Sequence, residues 1–493
     1  MASSRTRTKH VVLFPIPGQG HFAAFLGVAG LLSHELPGAA VTVVSTPRNI
    51  AALRSAAAAA AQPSAISFHA LPFVPADHGL PADCESTSSL PLSEFLTLFE
   101  AYETLEPAFD DYVSGLVGES EAPGDVCVVA DVFTAWTAAV ARRRGCAHAV
   151  FVSCGAFGTA VLRALWTNMP ALRFGSDGVL RLPQHPELAL HRSQMSPAFF
   201  FPGGRRDRSV AYFRRLLPHG HGTGAVLINT VEELEPRGLA MLRRALAKVP
   251  VWPIGPVAGG AGAVGSVTTS TATNAAADDS VVRWLDSQPP SSVLYISFGS
   301  QNTIRPGQMM ELAAALELTG RPFVWAVRPP VGFDIAGAFR DEWLPEGFEA
   351  RARAGRRGVL VRGWAPQVRV LAHGATSAFL SHCGWNSALE SLAHGVPLVA
   401  WPLAAEQFYN ATMLAEELGV CVEVARGNAE SSPPVERAEV AEVLETVMGD
   451  TAEAAAMRRR VAEVKEVMES AWAEGGGSSR TALRGFLRAM CLQ

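Results

Sequence analysis

With 493 residues, 48% of them hydrophobic and 18% charged, the chain has the material for two or three globular domains with large cores. A formal net charge of −5 argues against nucleic acid as the main partner, and no apolar stretch approaches the roughly 18 residues that a membrane span needs. The seven cysteines, Cys84, Cys127, Cys146, Cys154, Cys383, Cys421 and Cys491, are odd in number and lack metal-binding or disulfide-framework spacing, so they read as reduced thiols of a cytosolic protein.

In chain order, Arg5, Arg7 and Lys9 precede the apolar run VVLF, which Pro15, Pro17 and Gly18 break far short of a secretory h-region. His10 to Ile16 reads as a buried parallel strand, Pro17 to His21 as a Gly-rich turn, and the residues to about Leu36 as an apolar helix. Gly18-x-Gly20-x-x-Ala23 matches the glycine spacing of a dinucleotide fingerprint, which wants an acidic residue about twenty positions on. Here VTVVST runs into Pro47 and Arg48, which leaves a nicotinamide- or flavin-binding oxidoreductase as the remote alternative. In Gly124 to Ala141, Asp131 ends an apolar strand and faces the start of the next helix, where a capping role is the plain reading. His148 to Ser153 is a further strand. Residues 72–105 and 175–224 lose periodicity and gain Pro, Gly and single aromatics. Four histidines there, His185, His191, His219 and His221, have no carboxylate or cysteine pattern that would make a zinc site. The arginine clusters at 205–208, 214–215 and 458–460 read as solvated faces.

A first domain, 1–257, closes with AVLINT, VEELE and VWPIGPV, and the Gly/Ala/Ser/Thr tract 258–279 reads as a flexible linker. The second domain, 280–475, opens with WLDSQPPSSVLYISFGS, places Pro306 at a helix start, and passes through FVWAVR and GVLVRGWAP to Trp364. Residues 476–493 hold a last amphipathic segment, Ser479 to Met490.

The stretch from Trp364 to Gln407 reads as a short βαβ-type unit. Apolar TSAFL runs into the polar turn HCGWNS, the helical segment SALESLAHG follows, and PLVAWP leads to Glu406 and Gln407. Polar groups gather at the carboxyl ends of the two apolar runs, where parallel sheets bind ligands. Gly384 lets a ligand approach the backbone, Asn386 and Ser387 are favoured N-cap residues, and His382 stands where the strand ends. Unpaired N–H groups and a partial positive charge at a helix N-terminus suit a diphosphate. Glu390, one turn into the helix, can accept hydrogen bonds from a ribose diol, and Trp364 offers a flat face to a base. Base, ribose, pyrophosphate and sugar follow in the order of a nucleotide sugar. The sequon Asn410-Ala411-Thr412 lies three residues past Gln407, where a glycan would crowd this site, and reads as accidental.

These residues resemble the signature box of the plant family-1 UDP-dependent glycosyltransferases, inverting enzymes that act on small molecules of plant secondary metabolism. The resemblance implies an α/β fold of two facing Rossmann-like domains (GT-B type), each a parallel sheet flanked by helices, with 476–493 returning to the first domain, and a cytoplasmic monomer. It implies that Trp364 stacks on uracil, that Ala365 (through its backbone) and Gln367 hold its edge, and that Glu390 takes the ribose hydroxyls. His382, Asn386 and Ser387 would hold the pyrophosphate with Ser300 facing it, Trp385 would pack under the sugar, and Glu406 and Gln407 would bind its hydroxyls. Gln407, in place of His, resembles the glucose-using members, and Ser153 falls where family members place a hydroxyl near the donor sugar. The Asp131-Val132-Phe133-Thr134-Ala135-Trp136 pattern implies that Asp131 orients His21 as general base. The loops imply an acceptor pocket with Phe73, Phe157, Met195 and Phe199 to Phe201 as candidate linings. Many nucleotide-sugar enzymes of the other major fold hold a metal through Asp-x-Asp; this chain contains none. The expectation is therefore a metal-independent transfer of glucose from UDP-glucose to a hydroxyl of a small apolar acceptor, giving a β-O-glucoside. C-glycosylation or another UDP-sugar on the same fold is the alternative.

Overall fold

A computed structural model describes residues 8–59, 66–169, 172–195, 204–257, 275–335 and 337–493. The chain divides into two compact units, one of Met1–Ala156, Asp207–Ala272 and Glu469–Gln493, the other of Phe157–Arg206 and Thr273–Met468. The first unit therefore surrenders a segment, 157–206, from within the expected domain 1–257.

The first unit is built on a seven-stranded sheet of β1 (His10–Phe14), β2 (Ala40–Ser45), β3 (Ile66–Ala70), β4 (Val126–Asp131), β5 (Ala147–Val152), β8 (Ala225–Ile228) and β9 (Val251–Pro253). Every pairing is parallel, in the order β3-β2-β1-β4-β5-β8-β9. Its central strands β1, β4, β5 and β8 are apolar and buried along nearly their whole length because both faces are covered, whereas the edge strand β3, ISFHA, alternates. Val11 and Leu13 pack with Phe22, Phe25 and Leu26 of the helix Gln19–Glu35. Val12 and Phe14, whose side chains point the other way, pack with Phe109 and Trp136. The last helix, Ser478–Ala489, presses its buried Leu483, Phe486 and Leu487 into the first of these clusters with Ile254 and Val257. Trp472 Nε1 and Ser479 Oγ both donate to the Gly255 carbonyl, at 3.1 and 2.6 Å, which ties the C-terminal segment to this unit.

The second unit contains an antiparallel hairpin, β6 (Val179–Leu182) with β7 (His185–His191), and a six-stranded sheet. The sheet comprises β10 (Val293–Ser297), β11 (Phe323–Val327), β12 (Gly358–Arg362), β13 (Thr376–Ser381), β14 (Leu398–Ala400) and β15 (Cys421–Glu423), all parallel in the order β12-β11-β10-β13-β14-β15. Ala275 to Asp279, read as linker, begin the helix Ala275–Asp286; residues 258–274 lie outside the described residues. Among the described residues no helix is long and apolar enough to cross a membrane. All seven cysteines are free thiols.

Each sheet has one point where the strand order reverses, between β1 and β4 and between β10 and β13. Loops leaving the carboxyl ends of such strand pairs diverge to opposite faces and open a crevice for ligands. His21 follows β1 and Asp131 ends β4 in the first pair; Ser300 and His382 follow the second.

Candidate active site: a His–Asp pair and a helix-terminus box

In the first unit, His21 lies in the opening turn of the helix Gln19–Glu35 and Asp131 is the last residue of β4. Parallel pairing sets Phe14 opposite Ala130, so both strands deliver their following residues to one sheet edge. His21 Nδ1 stands 2.7 Å from Asp131 Oδ2. Asp131 is 1% exposed and the His21 side chain 24%, so the carboxylate is shielded while the imidazole reaches solvent. The other carboxylate oxygen, Oδ1, accepts the Phe133 N–H at 3.2 Å. The Asp131 N–H donates to Thr134 Oγ1 at 3.0 Å, and that hydroxyl donates to the Phe14 carbonyl at 2.7 Å. Capping and orientation are thus both served: one oxygen caps the short turn after β4 and the other accepts the Nδ1 proton. With Nδ1 protonated, the neutral ring carries its lone pair on Nε2, the arrangement a general base requires.

Two further contacts frame the pair. The Pro17 carbonyl, just ahead of the histidine, accepts from the Thr87 N–H at 3.0 Å, Thr87 Oγ1 at 3.3 Å and Ser86 Oγ at 3.1 Å, which fastens the turn to the loop around residue 86. The Phe133 ring stands edge-on to the imidazole, centroids 5.8 Å apart, and stacks on Phe99 at 4.7 Å. Ser153 Oγ lies 3.3 Å from His21 Nδ1, so this hydroxyl sits beside the dyad in the first unit.

In the second unit, β13 runs into His382, Cys383 and Gly384, and the helix Trp385–Ala393 begins. Gly384 is the N-cap, and no side chain caps the helix there. Asn386 and Ser387, read from their type as caps, occupy instead the second and third helical positions. The His382 ring fits between the turns that follow β10 and β13. A Cβ on Gly299 would lie 2.6 Å from His382 Nε2 and one on Gly384 2.5 Å, and Gly299 also adopts φ +79°. Burial and the nearby Arg328 guanidinium lower the His382 pKa to about 4, so the ring is neutral at pH 7. Its Nδ1 is buried and has no hydrogen-bond partner, an unmet group of the kind a bound ligand satisfies.

Trp364 is 37% exposed, so part of its ring reaches solvent. Ala365 is buried, and its carbonyl accepts the Gln367 N–H at 2.8 Å. Gln367 Nε2 donates to Glu390 Oε2 at 2.6 Å and Ser387 Oγ at 3.1 Å, while its Oε1 accepts from Tyr295 OH at 3.3 Å. Glu390, the expected ribose ligand, is therefore held in place by Gln367, and burial raises its carboxyl pKa. Trp385 is buried beneath the turn. Glu406 precedes the helix Gln407–Glu416. Gln407 Oε1 accepts the Leu403 and Ala404 N–H groups at 3.0 and 2.9 Å. Two backbone donors can bind only the amide oxygen, so this side chain offers its NH2 as a donor.

The expected acceptor linings divide between the two units. Phe73 belongs to the core of the first unit, stacked on His78 and beside Tyr102. Phe157 and Met195 are buried in the second unit, with the Met195 sulfur 3.7 Å from Tyr409 OH. Phe199, Phe200 and Phe201 lie outside the described residues. Asn410 of the sequon is fully buried and donates to the Cys383 carbonyl at 3.0 Å, so it is not presented for glycosylation. Three residues at these sites received no role from sequence. Phe133 lies inside the quoted motif, Tyr295 sits mid-strand in β10, and Arg328 is the polar residue that ends FVWAVR.

The profile of the UDP-glucoronosyl and UDP-glucosyl transferase family matches residues 264–458. UDP-glycosyltransferase 92A1 of Arabidopsis thaliana is 38% identical over 99% of this chain and 98% of its own length. Crocetin glucosyltransferase 3 of Crocus sativus is 38% identical over 83% of this chain and 85% of its own. The crystal structure of Glycyrrhiza uralensis UGT73P12 complexed with glycyrrhetinic acid 3-O-monoglucuronide superposes with a TM-score of 0.81 at 26% identity, covering 98% of this chain and 96% of that one.

Proposed function

This chain belongs to the plant family-1 UDP-glycosyltransferases, GT-B enzymes that move a sugar from a UDP-sugar to a small-molecule acceptor, and from that premise we propose an inverting, metal-independent glucosyltransferase that forms β-O-glucosides. The observation that carries the chemical step is the His21–Asp131 pair at 2.7 Å. His21 Nε2 takes the proton of an acceptor hydroxyl, and Asp131 steadies the imidazolium that forms. The acceptor oxygen bonds to the anomeric carbon as the bond from that carbon to the diphosphate oxygen breaks, and the electron pair leaves with UDP. Attack opposite the leaving group converts an α-linked donor to a β-glycoside.

The second unit's residues serve the donor in this reading. Trp364 stacks on uracil, and Ala365 and Gln367 meet its edge. Glu390 exchanges its Gln367 contact for the ribose diol, and Ser300, His382, Asn386 and Ser387 receive the diphosphate. Trp385 supports the turn beneath it, while Glu406 accepts from sugar hydroxyls and the Gln407 NH2 donates to one. Glucose is supported by Gln407 and by the glucosyltransferase relative from Crocus sativus. Small-molecule acceptors are supported by the names of that relative and of the Glycyrrhiza complex. Metal independence is supported by the lack of any Asp-x-Asp in the sequence.

Turnover of UDP-glucose with an acceptor alcohol in excess EDTA, with the product's anomeric proton read by NMR, tests use of UDP-glucose, metal independence and inversion together. The expected result is undiminished rate and the large axial–axial coupling of a β-glucoside. Near-complete loss in EDTA would remove metal independence, and an α product would remove inversion.

A further inference from the structure

The donor site as described must hold a diphosphate, yet its histidine is neutral and its helix terminus carries only about half a unit charge. We propose that Arg328 is a donor-site residue whose guanidinium binds the diphosphate of the UDP-sugar and stabilises UDP as it leaves. The inference rests on the donor-site reading above and adds to it the one full positive charge it otherwise lacks.

Position comes first. Arg328 directly follows β11, which pairs with β10 in parallel with Trp325 opposite Ile296. β10 in turn pairs with β13, Ser297 opposite Ser381. The residues after all three strands therefore emerge along one sheet edge, and Arg328, Ser300 and His382 are brought together there. Arg328 Nη1 donates to the Ser300 carbonyl at 2.6 Å, and the guanidinium carbon lies 6.0 Å from the centre of the Trp364 ring. One contact places the group at the turn assigned to the phosphates, the other beside the aromatic face assigned to the base.

Charge comes second. Arg328 is half-buried, and among the described residues no carboxylate makes a salt bridge or hydrogen bond to it. Of the two acids assigned to this site, Glu390 is engaged by Gln367. A guanidinium has five N–H donors in a planar fork, of which the Ser300 carbonyl occupies part. A sheltered cation without a counter-ion is costly, and an arriving diphosphate removes that cost with charge-assisted bonds. The bland reading is that Arg328 only braces the Ser300 turn and Trp364. The two differ in which part of the ligand should sense the residue.

Titration of the full-length enzyme with UDP and with uridine, in wild type, Arg328→Gln and Arg328→Lys, separates them. Arg328→Gln is expected to weaken UDP binding by about tenfold to a hundredfold, the range for loss of a charge-assisted contact, while uridine affinity stays within about twofold. Arg328→Lys, which keeps the charge without the fork, should weaken UDP several-fold and leave uridine alone; it decides the matter if the glutamine variant does not fold. Unchanged UDP affinity overturns the proposal. So does an equal loss for uridine and UDP, which assigns Arg328 to bracing Trp364. Failure of the wild type to bind UDP at all is a different outcome, and it removes the donor-site reading itself.

Discussion

His382 shows how one side chain answers two constraints. Its ring is enclosed by the turns after β10 and β13, and burial with the neighbouring Arg328 charge holds its pKa near 4. In the unfolded chain the same ring titrates near 6.5. As pH falls below 6.5 the unfolded state takes up a proton that the folded state refuses until about pH 4, so stability present at neutral pH is lost on acidification across that window. The loss amounts to about 2 kcal/mol by pH 5. Urea unfolding at pH 7.5 and pH 5 should show a component of this size in wild type that is missing in His382→Gln; equal pH slopes in the two proteins would contradict it. The contact between His21 and Asp131, which lie far apart in the chain and meet at 2.7 Å, was legible because residue type and neighbouring pattern agreed. Residue type alone says less about position. The Ser153 hydroxyl lies against the His21 ring, a contact made by strand order. Phe73 looks like a pocket lining and is core, because aromatic residues in an irregular loop carry no periodicity that separates the two.

At the scale of elements, the site depends on two strand-to-turn junctions with glycine at each. Gly299 sits at φ +79°, and a Cβ there would also meet His382 at 2.6 Å; at Gly384 the conformation is ordinary and the obstacle is His382 at 2.5 Å. Gly299→Ala therefore faces backbone strain and a clash, while Gly384→Ala faces the clash alone. Both substitutions should weaken UDP binding at least tenfold by displacing the imidazole, a conservative figure for a misplaced buried polar group. Gly299→Ala should in addition lower the melting temperature more than Gly384→Ala. Equal melting temperatures and wild-type UDP affinity would contradict this account of the turns. Asn386 and Ser387 favour the cap position by residue type, but the chain caps with Gly384 and leaves them inside the first turn. The helix after the linker tract starts at Ala275, inside residues whose Ala and Asp content reads equally as coil or helix. Boundaries of this kind are set by packing that a one-dimensional pattern does not contain.

For the whole molecule, the two parallel sheets repeat one principle: the candidate functional residues lie at or just after the ends of the strands at which the sheet order reverses. That architecture was legible in the sequence because each buried strand is an apolar run that ends in a Gly-rich turn, twice over, at His10 to His21 and at Val293 to Ser300. The membership of 157–206 in the second unit was not legible, since nothing in its composition says which sheet it packs near. The charge on Arg328 was visible as a letter but not as a partner of Ser300 and Trp364, because that meeting is made by strand order. The central claim, that a His21–Asp131 base drives transfer from a UDP-sugar, is met most directly by UDP release from UDP-glucose with a panel of phenolic and terpenoid alcohols, wild type against His21→Ala. The account predicts acceptor-dependent release that falls by about 10² to 10⁴ in His21→Ala while UDP affinity is retained. Release in His21→Ala at the wild-type rate would contradict it.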